Sequence, residues 1–588
     1  MLNPHTDRLD YGEKLSAPEG FILSHGLATT YTLDLETLLC LPLALSFNST
    51  LEGDLQGEKL ALLESISQLR GKVKVFFQQG EIRVPRQFNL LFSLLEPYLV
   101  PQVPGCEYSS FHPKVWLLRF TNAESEVRYR LLVLSRNLTF DRSWDLAVAL
   151  EGTVSGNRNS ESDGLLELLD ELSPHAKDFS AAFTLFKKEL PSVAWQKPPG
   201  FSGLRTLLGR AKQVPLELGS GTETVLVMSP FLHPESLDML RQLGHKHWLF
   251  SRAEELDLIG AKRLAGWECF ALNNILVSGE DELAQARVQN LHAKLVLLQN
   301  GSTSHWHIGS ANATKAALGG PDSSPRNTEF MLRLSSSGTM QSAQQLKNQL
   351  AGTEEEPAGF FVSHQFSQIL PQEPSATDPE LRKLIHRLIK ADWCMQAKAN
   401  ADNTFTCVID CPQNLLGICS NIEVQPLVSG QSRALEPCLI WSDLSLTQIS
   451  AFLILRIKVA PDVLIERLIK ARLNIEGGDT REQKITSSLI DSPHKLLAYI
   501  QMLLQPDHAK AEWSSGDAGG NEGGDALLSQ MLGGPIHEAL LRCAARQPEK
   551  LQRIDTVLAH LRDIAGLIPP ELDRLWAQYQ KLSWRKKA

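Results

Sequence analysis

Hydrophobic and polar positions along the chain follow two periods by turns, and that pattern predicts strands interleaved with helices. Phe21 to Asp34 reads as a strand leading into a helix over Leu35 to Phe47. Glu58 to Leu69 carries apolar residues at 60, 62, 63, 66 and 69, the spacing of one helical face. Lys72 to Phe77 alternates as a strand does, and Phe88 to Leu99 reads as helix. Val115 to Phe120, Tyr129 to Ser135 and Asp145 to Leu150 read as strands, followed by helices over Gly164 to Leu172 and Ala176 to Leu190. Pro191, Pro198, Pro199, Gly200 and Gly203 then mark a boundary. Beyond it a similar order returns: helix Leu204 to Gln213, strand Thr224 to Ser229, helix Pro234 to Leu243 and strand Lys246 to Ser251. Strands starting at His292 and Trp306 follow, with a last one over Asn327 to Leu334. Strands alternating with helices predict an α/β fold of mixed sheets flanked by helices, here as two similar halves.

After Leu334 the pattern changes. Ser335 to Pro357 is polar with one helix, and Pro379 to Lys390 is a short helix. Gln396 to Ile457 is richer in strand patterns, such as Phe405 to Ile409 and Ala451 to Val459, and from Ala460 the chain reads as mostly helical. Residues 514–526, within SSGDAGGNEGGDA, read as a flexible insertion. The expected organisation is a first half at 1–195, a second half at 196–335, a helical connector at 336–393, a small β-rich domain at 394–470 and a helical C-terminal region at 471–588.

Bulk properties narrow the function classes. A chain of 588 residues is too long for one domain, and 43% hydrophobic content fills several cores. The net charge of -9 excludes a protein coated in positive charge, so any nucleic-acid contact must be local to a groove. Met1 to Glu13 is polar and of mixed charge, unlike a signal peptide, and no apolar run reaches membrane-spanning length; the expectation is a cytoplasmic protein with no membrane contact. Nine cysteines, an odd number, suit a reducing compartment. Cys407, Cys411 and Cys419 lack the tight paired spacing of structural zinc, so reduced, mostly buried thiols are the better reading. No metal and no cofactor is expected.

Candidate chemistry lies in two matching stretches. Phe111-His112-Pro113-Lys114 precedes the apolar run Val115 to Leu118, with Ser135-Arg136-Asn137 behind it and Asp145 further on. Leu291-His292-Ala293-Lys294 precedes Leu295 to Leu298, with Gly309-Ser310-Ala311-Asn312 behind it and Glu329 further on. In an extended segment, residues two apart share a face, so each His stands beside its Lys. A lone His-x-Lys is usually accidental. Two copies in one order, about 180 residues apart, make an internal repeat that carries chemistry. His305 and His307 form a further His-x-His pair, which is thin ground for a metal site. Trp144 and Trp306 read as core.

These residues resemble the phospholipase D superfamily over roughly residues 20 to 335. The second copy matches at His292, Lys294, Gly309, Ser310, Asn312 and Glu329, while in the first Arg136 replaces a small residue. The family's usual Asp, five residues after the Lys, is absent; Arg119 and Gln299 stand there. That departure looks like the tyrosyl-DNA phosphodiesterase branch and some nucleases. The resemblance implies metal-free phosphodiester cleavage through a phosphohistidine, with His112 as nucleophile and His292 as general acid, or the two exchanged. It implies that Lys114, Lys294, Asn137 and Asn312 hold the non-bridging oxygens, and that Asp145 and Glu329 orient the histidines and favour their charged form. Ser135, Arg136, Ser310 and Lys315 are the candidate substrate contacts beside them.

Three functions follow. The first is a nuclease acting on DNA rather than RNA, supported by the absent Asp and the Arg-rich strand Arg128-Tyr129-Arg130. The second is a phospholipase or phosphatidyl transferase, which wants an apolar entrance that the sequence does not display. The third is an inactive nucleic-acid-binding subunit. The C-terminal third looks like the tails of bacterial phospholipase D-like proteins found beside helicases in defence or DNA-processing loci, which implies a helicase or other protein partner, or a homodimer.

Overall fold

The computed structural model describes residues 9–47, 59–140, 143–219, 221–273, 290–353, 359–367, 379–415, 421–428, 430–460, 463–504, 540–544, 548–562, 564 and 566–581. The insertion expected at 514–526, Cys419, and Asp141-Arg142, which follow the first Asn turn, lie outside them.

Two mixed sheets carry residues up to Ser363. In the first, the strands Leu99–Gln102, Val73–Gln78 and Ile22–Thr30 run parallel. Ile22–Thr30 then pairs antiparallel with Val115–Thr121, and Val127–Leu134, Ala147–Val154 and Val193–Trp195 continue the ladder. The second sheet repeats this plan. Thr224–Met228 runs parallel to Lys246–Ser251 and antiparallel to Leu295–Asn300, followed by Thr303–Gly309, Glu329–Ser337 and Gly203–Gly209. In both, the strand after the His-x-Lys segment lies beside the sheet's central parallel strand.

The alternation of the strands sorts side chains into layers. Val115 and Leu117 join Leu295 and Leu297 in one core shared by the two sheets, whereas Trp116 and Leu118 face an outer core. Val296 and Leu298 face the outer core of the second sheet. Each strand is thus buried on both faces, which explains runs of continuous rather than alternating hydrophobicity. Helices Leu35–Phe47 and Lys59–Gln68 cover the first outer face together with helices Pro493–Leu504, Pro548–Leu561 and Pro570–Tyr579 from the C-terminal region.

Several expectations need correction. Leu204 to Gln213 is not a helix. Leu204, Leu207 and Leu208 mimic helical spacing, but Gly203–Gly209 is the edge strand of the second sheet, with Leu204, Thr206 and Leu208 turned inward. Thr206 Oγ1 accepts from Leu165 N at 3.1 Å, and a Cβ at Gly164 would strike the Thr206 backbone, so this strand seats the helix Asp163–Leu172. Phe88 to Leu99 forms a 3-10 helix, Leu90–Tyr98, with Pro97 inside it. Asp145 precedes its strand, which starts at Ala147. The 336–393 stretch is not purely helical: Phe361–Ser363 adds an edge strand beside Glu268–Leu272. Strands also continue past Ala460. Val463–Lys470 forms a hairpin with Phe452–Ala460, and Arg472–Ile475 pairs with Cys394–Ala399. The Val463 stretch has helix-like spacing, but cross-strand pairing over the whole hairpin overrides it.

The appended β-rich part, two four-stranded sheets, docks on the first half through specific bonds. Gln79 Nε2 donates to Lys470 O at 2.9 Å, and Glu96 Oε1 accepts from Ser450 Oγ at 2.9 Å and from Ala451 N at 2.8 Å inside the protein. Among the described residues no helix is long and apolar enough to cross a membrane.

Candidate active site between the two halves

Each His-x-Lys segment lies just ahead of its strand, in extended chain that pairs with the opposite half. Phe111 bridges Thr328, and His112 N donates to Thr328 O at 2.9 Å. Asn290–Leu291 pairs with Ser143–Trp144, and His292 N donates to Trp144 O at 2.8 Å. Each histidine is therefore moored beside the other half's carboxylate residue. This pseudo-twofold exchange brings the two halves' motif residues to one place.

The lysines are almost wholly buried. Lys114 Nζ donates to His112 O at 3.0 Å, and Lys294 Nζ donates to His292 O at 2.7 Å. Ser135 Oγ accepts from Leu146 N at 2.8 Å, and Ser310 Oγ accepts from Phe330 N at 2.9 Å, so both serines brace the segments after the carboxylates. A Cβ at Gly309 would collide with the Phe330 carbonyl, which is why that turn needs glycine. The side-chain oxygens of Asn137 and Asn312 are both buried and accept no hydrogen bond. A symmetric pair of orphaned polar atoms fits a site built for a polar ligand, toward which either amide can turn its NH2.

The symmetry breaks at the carboxylates. Glu329 is fully buried; its Oε2 lies 2.8 Å from His112 Nδ1 and also receives Ser310 Oγ, while Oε1 accepts from Asn327 Nδ2 at 3.0 Å. Asp145 does not do the same for His292. It faces Arg136 at 3.3 Å, and His292 Nδ1 bonds instead to Ser135 O at 2.8 Å. The Arg136 that replaces a small residue supplies a nearer cation and draws Asp145 to itself. In both histidines Nδ1 is held and Nε2 is left for chemistry.

Nor do the carboxylates leave the histidines charged. Burial, with Lys294, Lys114 and His112 nearby, pushes His292 down to about 2. Burial also lowers His112, against Glu329 and helped by the two lysines. Burial brings Lys114 down to about 7 and holds Lys294 well below its ordinary range, the opposite lysine adding to the shift at Lys294. Burial alone would raise Glu329, but His112, Lys114 and Ser310 hold it at about 2. The site thus gathers four groups that want to be cationic around Glu329, with Asp145 near enough to Lys294 to act on it. An anion placed there relieves every one of these shifts.

Other expected residues have other work. Lys315 pairs with Glu235 at 2.8 Å. Arg119 pairs with Glu189 at 2.8 Å, and Gln299 donates to Gly301 O, so the two departures from the family pattern belong to the scaffold. The Arg-rich strand is mostly scaffold: Arg130 is buried against Glu151, Tyr129 is buried with its hydroxyl on Glu189, and only Arg128, lying over Phe21, stays exposed. His307 is buried between Val296 O and Glu217 N, and His305 Nδ1 meets Ser335 Oγ. Trp306 is core, its indole donating to Gln341 O, and Trp144 packs on Phe361. Sequence reasoning missed Asn327, Gln78, whose Oε1 receives Phe111 N at 2.8 Å, and Tyr31, whose ring meets His112 edge-on at 5.2 Å. Asn327 stands two residues before Glu329 and was within reach of the pattern; Tyr31 and Gln78 carry no local signal.

No protein-family profile matches the chain, and no curated protein sequence does. Among solved structures, yeast tyrosyl-DNA phosphodiesterase is similar at 13% identity with a TM-score of 0.35, over 55% of this chain and 85% of its own. Phosphatidylserine synthase of Haemophilus influenzae is similar at 11% identity with a TM-score of 0.33, over 64% of this chain and 89% of its own. Both are phospholipase D superfamily members.

Proposed function

We propose that this chain is a phosphodiesterase that cleaves nucleic acid, DNA before RNA, through two histidines and without a catalytic metal. The observation that carries the reading is the buried cluster in which the basic groups His112, His292, Lys114 and Lys294 come together from two halves, with one carboxylate bonded to His112. A phosphodiester anion fits that charge imbalance. Glu329 is already committed to His112, Ser310 and Asn327, and Asp145 faces Arg136, so neither carboxylate is free for a hard cation.

In the first step His112 Nε2 attacks phosphorus and the P–O bond to the leaving group breaks. His292 delivers its proton to the departing oxygen. In the second step a water replaces the imidazole on phosphorus, giving its proton to His292. Glu329 holds the proton on His112 Nδ1 and stabilises the charge that develops on the ring. Lys114 and Lys294 regain full charge as phosphate enters and neutralise the non-bridging oxygens. The phosphate also raises His292, favouring the protonated ring that must give its proton.

The test is cleavage of labelled single- and double-stranded DNA and RNA in excess EDTA, with His112→Ala and His292→Ala alongside. The reading predicts EDTA-resistant cutting that both substitutions abolish. Cutting that needs a metal and ignores both histidines overturns it.

A further inference from the structure

Beside the His112 segment stands an exposed cationic cluster that the scheme above does not use. Tyr108, four residues ahead of His112, is 37% exposed. Two guanidiniums share its ring: Arg326 at 5.5 Å and Arg382 at 5.8 Å from the centroid. Arg326 comes from the turn three residues ahead of Glu329. Arg382 comes from the helix Pro379–Lys390, outside both halves.

The helix is fixed there. His386 Nε2 lies 3.0 Å from Pro104 O, Leu388 and Ile389 are buried, and a Cβ at Gly80 would meet Ile389. The Tyr108 loop is fixed as well, since Ser110 N donates to Asn327 Oδ1 at 3.0 Å. Nearby cations are occupied: Lys383 pairs with Glu380 at 2.8 Å, and Arg387 donates to Asn414 O at 2.7 Å. Glu107 acts on Lys383. Among the described residues Arg326 and Arg382 form no ion pair, and both are exposed. Two unpaired like charges held at one ring repel weakly in water, and an anion placed against both turns that repulsion into attraction. The comparable pair on the other half differs. Arg252 lies 4.7 Å over exposed Phe231, but it donates to Leu291 O at 2.7 Å and so serves the His292 scaffold.

Four residues of extended chain reach about 14 Å at most, so the cluster lies within a few nucleotides of the scissile position. We infer that Arg326 and Arg382 hold a second phosphate of the polynucleotide strand whose scissile phosphate lies between His112 and His292. This rests on the nuclease reading and deepens it: the helix Pro379–Lys390 extends the substrate track beyond the duplicated halves. A lipid with a single phosphodiester has no second phosphate to offer.

The test uses the full chain and a fluorescent single-stranded DNA oligonucleotide, read by anisotropy over a salt series. The variants are Arg326→Gln, Arg382→Gln and the double substitution, with Lys398→Gln on the exposed side of the β-rich part as control. The double substitution is expected to weaken binding about tenfold and to lower the slope of log Kd against log salt by about 0.7, each single substitution by part of that, with the control unchanged. Cleavage by wild type is followed in parallel. Arginine variants that bind as wild type does overturn the inference, whether or not the strand is cut. Wild type that binds through both arginines but never cuts keeps the inference and removes the catalytic reading.

Discussion

Glu329→Gln isolates what the buried carboxylate does for His112. The substitution keeps the side chain's shape but removes the negative charge 2.8 Å from His112 Nδ1. A hydrogen bond to an ionised partner contributes about 1.5–3 kcal/mol. At about 1.36 kcal/mol per tenfold in rate, kcat on the pH plateau is expected to fall about 10- to 150-fold. The pH dependence moves too. Burial lowers the His112 pKa, and Glu329 works against burial to raise it. His112 attacks as the neutral ring, so its protonation ends the reaction on the acid side. Without Glu329 that protonation needs a lower pH, and the acid limb of kcat/KM shifts down as the plateau drops. The assay is initial rate on bis(p-nitrophenyl) phosphate across the acid and neutral range, for wild type and variant. Mere loss of folded protein lowers the plateau and leaves the limb in place. A plateau equal to that of wild type, or a limb displaced upward, refutes the role given to Glu329.

Asp145→Asn is expected to slow cleavage no more than about fivefold, because Asp145 serves a partly exposed Arg136 rather than a histidine; a loss matching Glu329→Gln would place Asp145 on His292 after all. Lys114→Met removes a buried ammonium that burial already drives down to about 7. Its urea midpoint is expected to move by no more than about 1 kcal/mol in stability, the relieved desolvation offsetting the hydrogen bond lost to His112 O, while KM for the phosphodiester rises; a loss of several kcal/mol contradicts the charge account. Binding a nucleoside monophosphate near pH 8 is expected to take up protons, since Lys114 is then largely neutral and an anion raises its pKa. Calorimetry in two buffers of different ionisation enthalpy reads this, and proton release contradicts it.

The sign of the ligand-free stability curve follows from the same groups. Lys114 and His292 have folded pKa values below their ordinary ones, so the folded state binds fewer protons there. Their contribution to stability therefore falls as pH drops from about 10.5 to about 7 for Lys114 and from about 6.5 to about 2 for His292. Glu329, depressed from 4.5 to about 2, loses its contribution over that same interval. All three slopes have one direction, and the site is a local weak point that an anionic ligand reinforces.

The repeat was legible because His112, Lys114, His292 and Lys294 sit beside long apolar runs, and a strand buried on both faces writes itself as such a run. The cross-half exchange was not legible. Nothing near Thr328 or Trp144 shows that their carbonyls receive the opposite histidine, since pairing between halves depends on tertiary packing alone. Gly203–Gly209 was misread for a related reason: three leucines fit a helical face, and only the neighbouring Glu329–Ser337 strand makes the segment extended. Likewise Arg128-Tyr129-Arg130 reads as a phosphate surface, but Glu189 takes Tyr129 and Glu151 takes Arg130, leaving Arg128 alone exposed. Charged residues on a strand say little about partners until the facing strands are known.

The measurement that tests the central claim most directly is a search for the covalent intermediate. His292→Ala is mixed with the p-nitrophenyl ester of thymidine 5′-monophosphate, whose leaving group needs no acid, and then quenched in denaturant in the presence of EDTA. Without His292 to activate water, the account predicts a thymidylyl group accumulating on His112, visible by intact mass and by peptide mapping, and absent from His112→Ala. No adduct on His112, with His112→Ala still turning over the ester, would contradict the account.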